Sequence, residues 1–290
     1  MVLKKMRNIY KSNSWVTVLL AICLLMSSCV GGKHKLPTSI GQPYEVLLEG
    51  DTDSVLTQIL KKDIPALPQP EPTFDIIQLK KGQNSSLYQT MRNRVVVDVS
   101  QQNKAYEVLV ARDVNASPQV LVKIKAQSVE QLKARLDGEK LRQLLNQSEL
   151  QHLAFLVKQN VEMQQKVKQQ FGVDMKVPFD MDACKNGKDF LWISNNANSG
   201  MKNLLILRAK NDREIEQMLR KNMVGETDSM YMVVSSGEER GLWYMKGDCM
   251  GGPFVKKCKG DVVAIGFVYA PEIKKRNLIK QLEAVLTTIK

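Results

Sequence analysis

The chain has 290 residues, of which 43% are hydrophobic and 25% charged, with 17 glycines and 10 prolines, so collagen-like, low-complexity and fully disordered chains are excluded. Its formal charge is +12, but residues 1–28 carry Lys4, Lys5, Arg7 and Lys11 and no acid, which leaves +8 for the rest. Part of the basic character therefore belongs to a targeting segment.

The first 28 residues have the three parts of a secretory signal peptide. Residues 4–11 are basic, residues 15–26 are apolar, and the small residues Ser27 and Ser28 precede Cys29. The 12 residues of the apolar run rise about 18 Å as a helix, less than the roughly 30 Å of a bilayer core. The pattern therefore predicts a leader and not a membrane span.

Residues 25–29, Leu-Met-Ser-Ser-Cys, resemble the bacterial lipobox. The resemblance implies that Cys29 receives a diacylglyceryl group, that the leader is cut before it, and that its new amino group is acylated. Two or three acyl chains give stable anchoring. The alternative is a plain secretory leader in which Cys29 is incidental.

Residues 29–43 are predicted to be a flexible tether that follows the anchor. Because the start of this segment lacks the acidic residues that resemble inner-membrane retention or surface-export signals, we expect the protein at the periplasmic face of the outer membrane. Lys33, His34 and Lys35 are interpreted either as contacts to anionic headgroups or as part of a solvated tether.

Three cysteines remain in the mature body: Cys184, Cys249 and Cys258. An oxidising compartment permits one disulfide among them, and the sequence leaves all three pairings open. The two histidines, His34 and His152, lie far from each other and from the thiols, so the sequence predicts no metal site.

The first half of the body combines strands with helices. A strand over residues 44–48 precedes a helix through Val55 and Leu60 that Asp51 or Asp53 caps. A proline-rich connector covers residues 65–72. Ser128 and Ser148, each three residues before a Gln, predict the starts of two helices, the second of which runs to Phe171. Segments rich in Val and Ile indicate an antiparallel meander over residues 74–79, 94–99, 105–112 and 119–125.

The second half repeats this mixture of strands and helices. Asn211, with Glu214 three residues later, predicts a helix start, and Pro271 is predicted to open the last helix. The pattern predicts strands at residues 176–179, 189–194, 203–208, 231–235, 241–246 and 262–270.

These elements predict an α+β fold, a mainly antiparallel sheet covered by helices, in one body over residues 44–290. The body is interpreted as two related halves, 44–127 and 172–290, joined by a helical region over 128–171. The sequence has no GxGxxG motif, P-loop or regular βα alternation that would favour a doubly wound parallel sheet.

The least generic region spans residues 240–255, 266–271 and 275–278. Together with the leader, Leu36-Pro37 and residues 189–192, it resembles an uncharacterised family of bacterial envelope lipoproteins, a domain of unknown function. The resemblance implies lipoprotein character and no activity, substrate or catalytic residue.

Within this region the Gly-Gly-Pro triplet allows a sharp turn beside two aromatic residues. We therefore predict a rigid binding loop, for which the alternative is a hairpin turn over core aromatics. The candidate residues of this loop are Trp243, Asp248, Gly251, Gly252, Pro253 and Phe254.

The sequence favours a non-catalytic binding or scaffold protein without a cofactor. The alternative is an envelope hydrolase in which Asp180, Asp182 and Asp248 converge with Trp192 or Trp243 in one cleft. The expected partners are the membrane, through the lipid anchor, and an envelope protein or anionic ligand; the compartment argues against nucleic acid. A basic set near the end of the chain is the second candidate contact surface, with a dispersed solvated surface as the alternative: Lys256, Lys257, Lys259, Lys274, Lys275, Arg276 and Lys280.

Overall fold

The computed structural model describes residues 35–51, 53–79, 83, 86–227, 229–235 and 237–290. The predicted leader, Cys29 and the first part of the tether lie outside these residues. Residues 37–290 form one compact unit. No helix in the described ranges combines the length and the apolar character that crossing a membrane requires.

The strands form two sheets, and the helices lie on their faces. The strands are β1 Glu45–Glu49, β2 Asp75–Leu79, β3 Asn93–Val99, β4 Glu107–Arg112, β5 Val120–Ala126, β6 Ala183–Gly187, β7 Phe190–Ser194, β8 Met201–Arg208, β9 Met232–Val234, β10 Arg240–Met245, β11 Gly251–Lys259 and β12 Val262–Tyr269. The helices are α1 Val55–Leu60, α2 Ser86–Gln89, α3 Val129–Arg135, α4 Gly138–Leu156, α5 Val161–Phe171, α6 Asp212–Asn222 and α7 Arg276–Thr287. The predicted α+β class is confirmed.

The first sheet is mixed, with strand order β2-β1-β3-β5-β4. Neighbours are parallel except for β4 and β5. The predicted antiparallel meander is therefore wrong. The apolar strands β3 and β5 take central positions, whereas every residue of β4 except Ala111 is exposed, and β4 forms the edge.

The second sheet is antiparallel throughout, in the order β6-β7-β8-β12-β11-β10-β9. Strands predicted at 189–194, 203–208, 231–235, 241–246 and 262–270 are present with small changes of bounds. Residues 176–179 do not form a strand, and β6 and β11 were not predicted. Strand β11 was missed because its Gly-Gly-Pro start is typical of a turn.

Three apolar clusters form the core. One lies between the first sheet and helices α1, α3 and α4. The second sheet lies between α5 and α7 on one face and α6 on the other. Helices α4 and α7 also contact each other, which joins the two sheets through their covering helices.

Several helix ends follow the predicted capping. The Ser128 side chain accepts a hydrogen bond from the Gln131 amide, and the Asn211 side chain accepts one from the Glu214 amide. Asp51, one of the two residues predicted to cap α1, accepts hydrogen bonds from two amides of its first turn, although Ser54 occupies the N-cap position.

Two helix starts were predicted wrongly. Ser148 lies inside α4, which begins at its cap Asp137, because the apolar stripe of this helix runs through the predicted boundary. Helix α7 begins at Arg276, five residues after Pro271.

Residues 37–43, assigned above to the tether, hydrogen-bond to the body. The Ser117 amide donates to the Pro37 carbonyl at 2.9 Å, and the Ile40 amide donates to the Thr90 carbonyl at 3.0 Å. Any free tether therefore ends before Pro37.

Candidate functional site

The residues predicted as a binding loop lie in a β-hairpin. Trp243 on β10 pairs with Gly252 on β11, and Gly241 pairs with Phe254. Trp243 and Phe254 are only 3% and 0% exposed. The description of this segment as a loop is therefore wrong, and the alternative, a hairpin over core aromatics, describes it.

The backbone of the neighbouring strand β12 lies very close to Gly252. A Cβ at this position would lie 2.2 Å from the Val268 carbonyl oxygen. The Trp243 indole N–H donates to that same oxygen at 3.0 Å. Pro253 is buried in β11, and Asp248 is exposed in the hairpin turn. The Gly-Gly sequence thus serves close packing of strands and not a turn.

The three candidate carboxylates do not lie together in one cleft. Asp180 forms an ion pair with Lys202 at 2.9 Å and lines an apolar cleft. Neither Asp182 nor Asp248 lines this cleft, nor do the two candidate tryptophans. Among the described residues, no group of three or more His, Cys, Asp or Glu side chains is placed to hold a metal ion. The three cysteines of the body are exposed thiols.

The basic set near the end of the chain does not form one surface. Lys275, Arg276 and Lys280 are 4%, 6% and 4% exposed and are bound inside the protein. The Arg276 guanidinium donates to Asp75 at 2.6 Å and to the Pro72 carbonyl at 2.9 Å. Lys256 pairs with Asp212 at 3.0 Å, and its side chain is only 8% exposed. Lys257, Lys259 and Lys274 are therefore the members of the set that remain exposed.

A buried ion pair joins α4 to the start of the first sheet. Glu149 is fully buried and accepts hydrogen bonds from the Arg92 Nε at 2.6 Å, the Asn93 Nδ2 at 2.6 Å and the Tyr44 amide at 3.0 Å. Arg92 also donates to the carbonyls of Gly41 and Gln42. Both charges are therefore compensated inside the protein.

A second set of charges lies where α4 meets α7. Lys280 donates to Asn146 of α4 at 2.6 Å and pairs with Glu283 at 3.0 Å, and Arg240 pairs with Glu283 at 2.5 Å. Burial lowers the pKa of Lys280. Burial alone would raise the pKa of Glu283, but the adjacent Lys280 and Arg240 cations outweigh it and lower that pKa.

These charges line one side of a cavity of about 390 Å³ that also includes Lys62, Arg142 and Glu139. Because Lys280, Arg240 and Glu283 satisfy one another, they hold the two helices together and offer little to a ligand. Sequence reasoning missed the cluster because its members are scattered along the chain from Asn146 to Glu283.

A groove between β4 and α4, which we call the β4 groove, has the features of a ligand site. Its volume is about 560 Å³, within the range of small-molecule sites. It is lined by Tyr106, Val108, Val110, Val122, Ile124, Arg135, Leu136, Asp137, Lys140, Leu141, Gln143, Leu144 and Gln147.

The alternation of strand β4 creates one wall of the groove. Val108 pairs with Ile124 and Val110 pairs with Val122 on the face that the helices cover, and Leu109 between them faces the other side. Val108 and Val110 are nevertheless 43% and 48% exposed, because α4 does not reach over the edge strand. The floor, in contrast, is buried.

The rim of the β4 groove is polar and carries two cations, Arg135 and Lys140, against one acid, Asp137. The Arg135 guanidinium lies 5.9 Å from the centre of the Tyr106 ring. Burial raises the pKa of Tyr106. An apolar floor under a basic rim suits a ligand with an apolar chain and an anionic group.

The structure thus defines an α+β protein with two joined sheets and an open apolar groove. Residues 39–158 match the family model of a domain of unknown function (DUF8532), and residues 160–239 and 233–288 match that of another (DUF4837). The two matches meet between α4 and α5. The predicted resemblance to an uncharacterised family is confirmed at this level.

Neither the curated proteins nor the solved structures include a significant match to this chain.

Proposed function

We propose that this chain is a lipid-anchored protein of the cell envelope whose body binds an amphiphile, an apolar chain with an anionic group, in the β4 groove. The observation that carries the proposal is the uncovered pair Val108 and Val110, which stands in front of the buried floor formed by Val122 and Ile124. Exposed apolar side chains beside a concave apolar floor are typical of a ligand site.

The hydrophobic effect supplies the affinity for the chain of the ligand. Each methylene that moves from water to the groove contributes about 0.8 kcal/mol. Arg135 and Lys140 at the rim orient the anionic end toward solvent, where the ion pair needs no costly desolvation. Binding, and not catalysis, is the activity that these residue types support.

The envelope location rests on the sequence. The lipobox-like residues before Cys29 support acylation of that residue and anchoring at the periplasmic face of the outer membrane. This is tested by replacing Cys29 with Ser and following incorporation of an alkyne-tagged fatty acid. We expect the wild type to carry the label and the variant to lose it; equal labelling would contradict the anchor.

The ligand is tested with a photoactivatable fatty acid added to the full chain in lipid nanodiscs. We expect saturable labelling of β4 and α4 that unlabelled fatty acid displaces. Val108→Asp and Val110→Asp place a carboxylate at the apolar wall beside the bound chain, and each should weaken labelling by tenfold or more, which corresponds to about 1.4 kcal/mol.

Leu109→Asp is the matched control, because Leu109 is 46% exposed on the same strand but faces away from the groove. It should label like the wild type. Labelling that no variant changes, or that Leu109→Asp reduces equally, would contradict the proposal.

A further inference from the structure

Four of the most exposed large apolar side chains of the body lie around the junction of α4 and α5. Phe155, Phe179, Val161 and Leu156 are 78%, 69%, 61% and 56% exposed. We call these four residues the junction patch. Exposed phenylalanines are costly in water, so a concentration of them marks a contact surface.

Backbone contacts hold the junction patch together. The Phe179 amide donates to the Lys158 carbonyl at 2.9 Å, and Gln159 bridges to Pro178. Leu156 and Phe179 also line the same cleft of about 360 Å³. Leu156 and Phe179 therefore belong to one surface, at which Lys158 is exposed, and Phe155 is the exposed neighbour of Leu156 in the chain.

The junction patch lies at the end of the body where the chain enters. The Pro37 carbonyl accepts a hydrogen bond from the Ser117 amide, just before β5 begins. The Ile40 carbonyl accepts one from the Arg92 amide, just before β3 begins. The Arg92 side chain binds Glu149 of α4 at that same sheet end. Phe155 follows Glu149 by six residues, about 9 Å further along the helix.

The length of the intervening chain limits how far this end can lie from the anchor. Cys29 precedes Pro37 by eight residues, which span about 28 Å at most when fully extended. A lipid-anchored Cys29 therefore keeps this end of the body beside the bilayer.

We propose that the junction patch is a membrane-contacting surface, in which Phe155 and Phe179 enter the interfacial region of the bilayer that holds the acylated Cys29. This inference rests on the proposed anchoring. Aromatic and aliphatic side chains gain free energy at the headgroup boundary, and the exposed Lys158 faces the phosphates. The contact fixes the orientation of the body on the membrane and leaves the opposite sheet end, with the turn of residues 100–103, away from it.

The test places a tryptophan at the surface of the full-chain protein, reconstituted in phosphatidylethanolamine and phosphatidylglycerol vesicles with brominated acyl chains. Phe155→Trp and Phe179→Trp are the reporters. The control is Gln102→Trp, in the exposed turn between β3 and β4 at the other end of the sheet. The signal of the unsubstituted protein is subtracted.

We expect the two reporters to show blue-shifted emission and quenching by bromine, and the control to show neither. Vesicle flotation in the same samples reports the anchor separately. Flotation without quenching at Phe155→Trp and Phe179→Trp would overturn the membrane contact while leaving the anchor intact, whereas loss of flotation would refute the anchor itself. Quenching of the control to the same extent, or protection of the reporters by self-association in cross-linking, would also overturn the proposal.

Discussion

Replacing Glu149 with Gln is expected to destabilise the protein strongly. The wild-type carboxylate accepts four hydrogen bonds, from the Tyr44 amide, the Asn93 side chain and two nitrogens of Arg92. Gln keeps one acceptor oxygen and directs an amide N–H₂ toward donors, so at least one buried donor loses its partner and the Arg92 charge is no longer neutralised. Breaking a buried pair in this way costs about 3–5 kcal/mol.

The assay is urea unfolding followed by circular dichroism, with the free energy of unfolding extrapolated to water. The variant Arg92→Met, Glu149→Met provides the control, because removing both charges leaves no unpaired ion. We expect this double variant to recover part of the loss, because the charges are gone but the Tyr44 amide and the Asn93 side chain still lack their acceptor. A loss below about 1 kcal/mol for Glu149→Gln, or a double variant less stable than the single one, would refute the reasoning.

Three further predictions concern other parts of the fold. Glu71→Ala leaves the buried amides of Lys275 and Arg276 without their acceptor, since Glu71 binds them at 2.6 and 3.1 Å, and should lower the free energy of unfolding by about 2 kcal/mol in the same assay. Gly252→Ala should lower the melting temperature and change the near-ultraviolet dichroism of Trp243, because the new Cβ overlaps a carbonyl oxygen; an unchanged melting curve would count against this packing. Burial and the nearby Arg92 lower the pKa of His152, so as pH falls below about 6.5 the unfolded chain takes up the proton first and stability decreases. A proton NMR titration of His152 checks that pKa, and His152→Gln should remove this part of the pH dependence.

Local sequence signals predicted the elements that depend on local physics. Ser128 and Asn211 cap helices because the capping hydrogen bond forms within four residues. The alternation of Val120, Val122 and Ile124 predicted a strand with one buried face, and it is one.

Pairing partners were not predicted, because strand order is decided by contacts distant in sequence. Strands β4 and β5 pair as a hairpin because they are neighbours in the sequence. The position of β5 beside β3, in contrast, depends on which strands are apolar enough for the centre of the sheet. The β4 groove was missed for the same reason, since it exists only because β4 became an edge that α4 does not cover.

The buried charges show how two regions that match separate family models become one unit. Glu71, in the proline-rich connector of the first region, caps the last helix of the second region. The Arg276 side chain of that helix in turn donates a hydrogen bond to Asp75 of the first region. Lys280 binds Asn146 in the same contact. Glu71, Arg276 and Lys280 are buried and would lose these partners if the two regions packed in another register. The cost of such burial excludes the alternatives more sharply than apolar contacts do. The connector, which the sequence predicts to be a linker, therefore holds the start of α7 against the first region, where Lys280 of α7 binds Asn146 of α4.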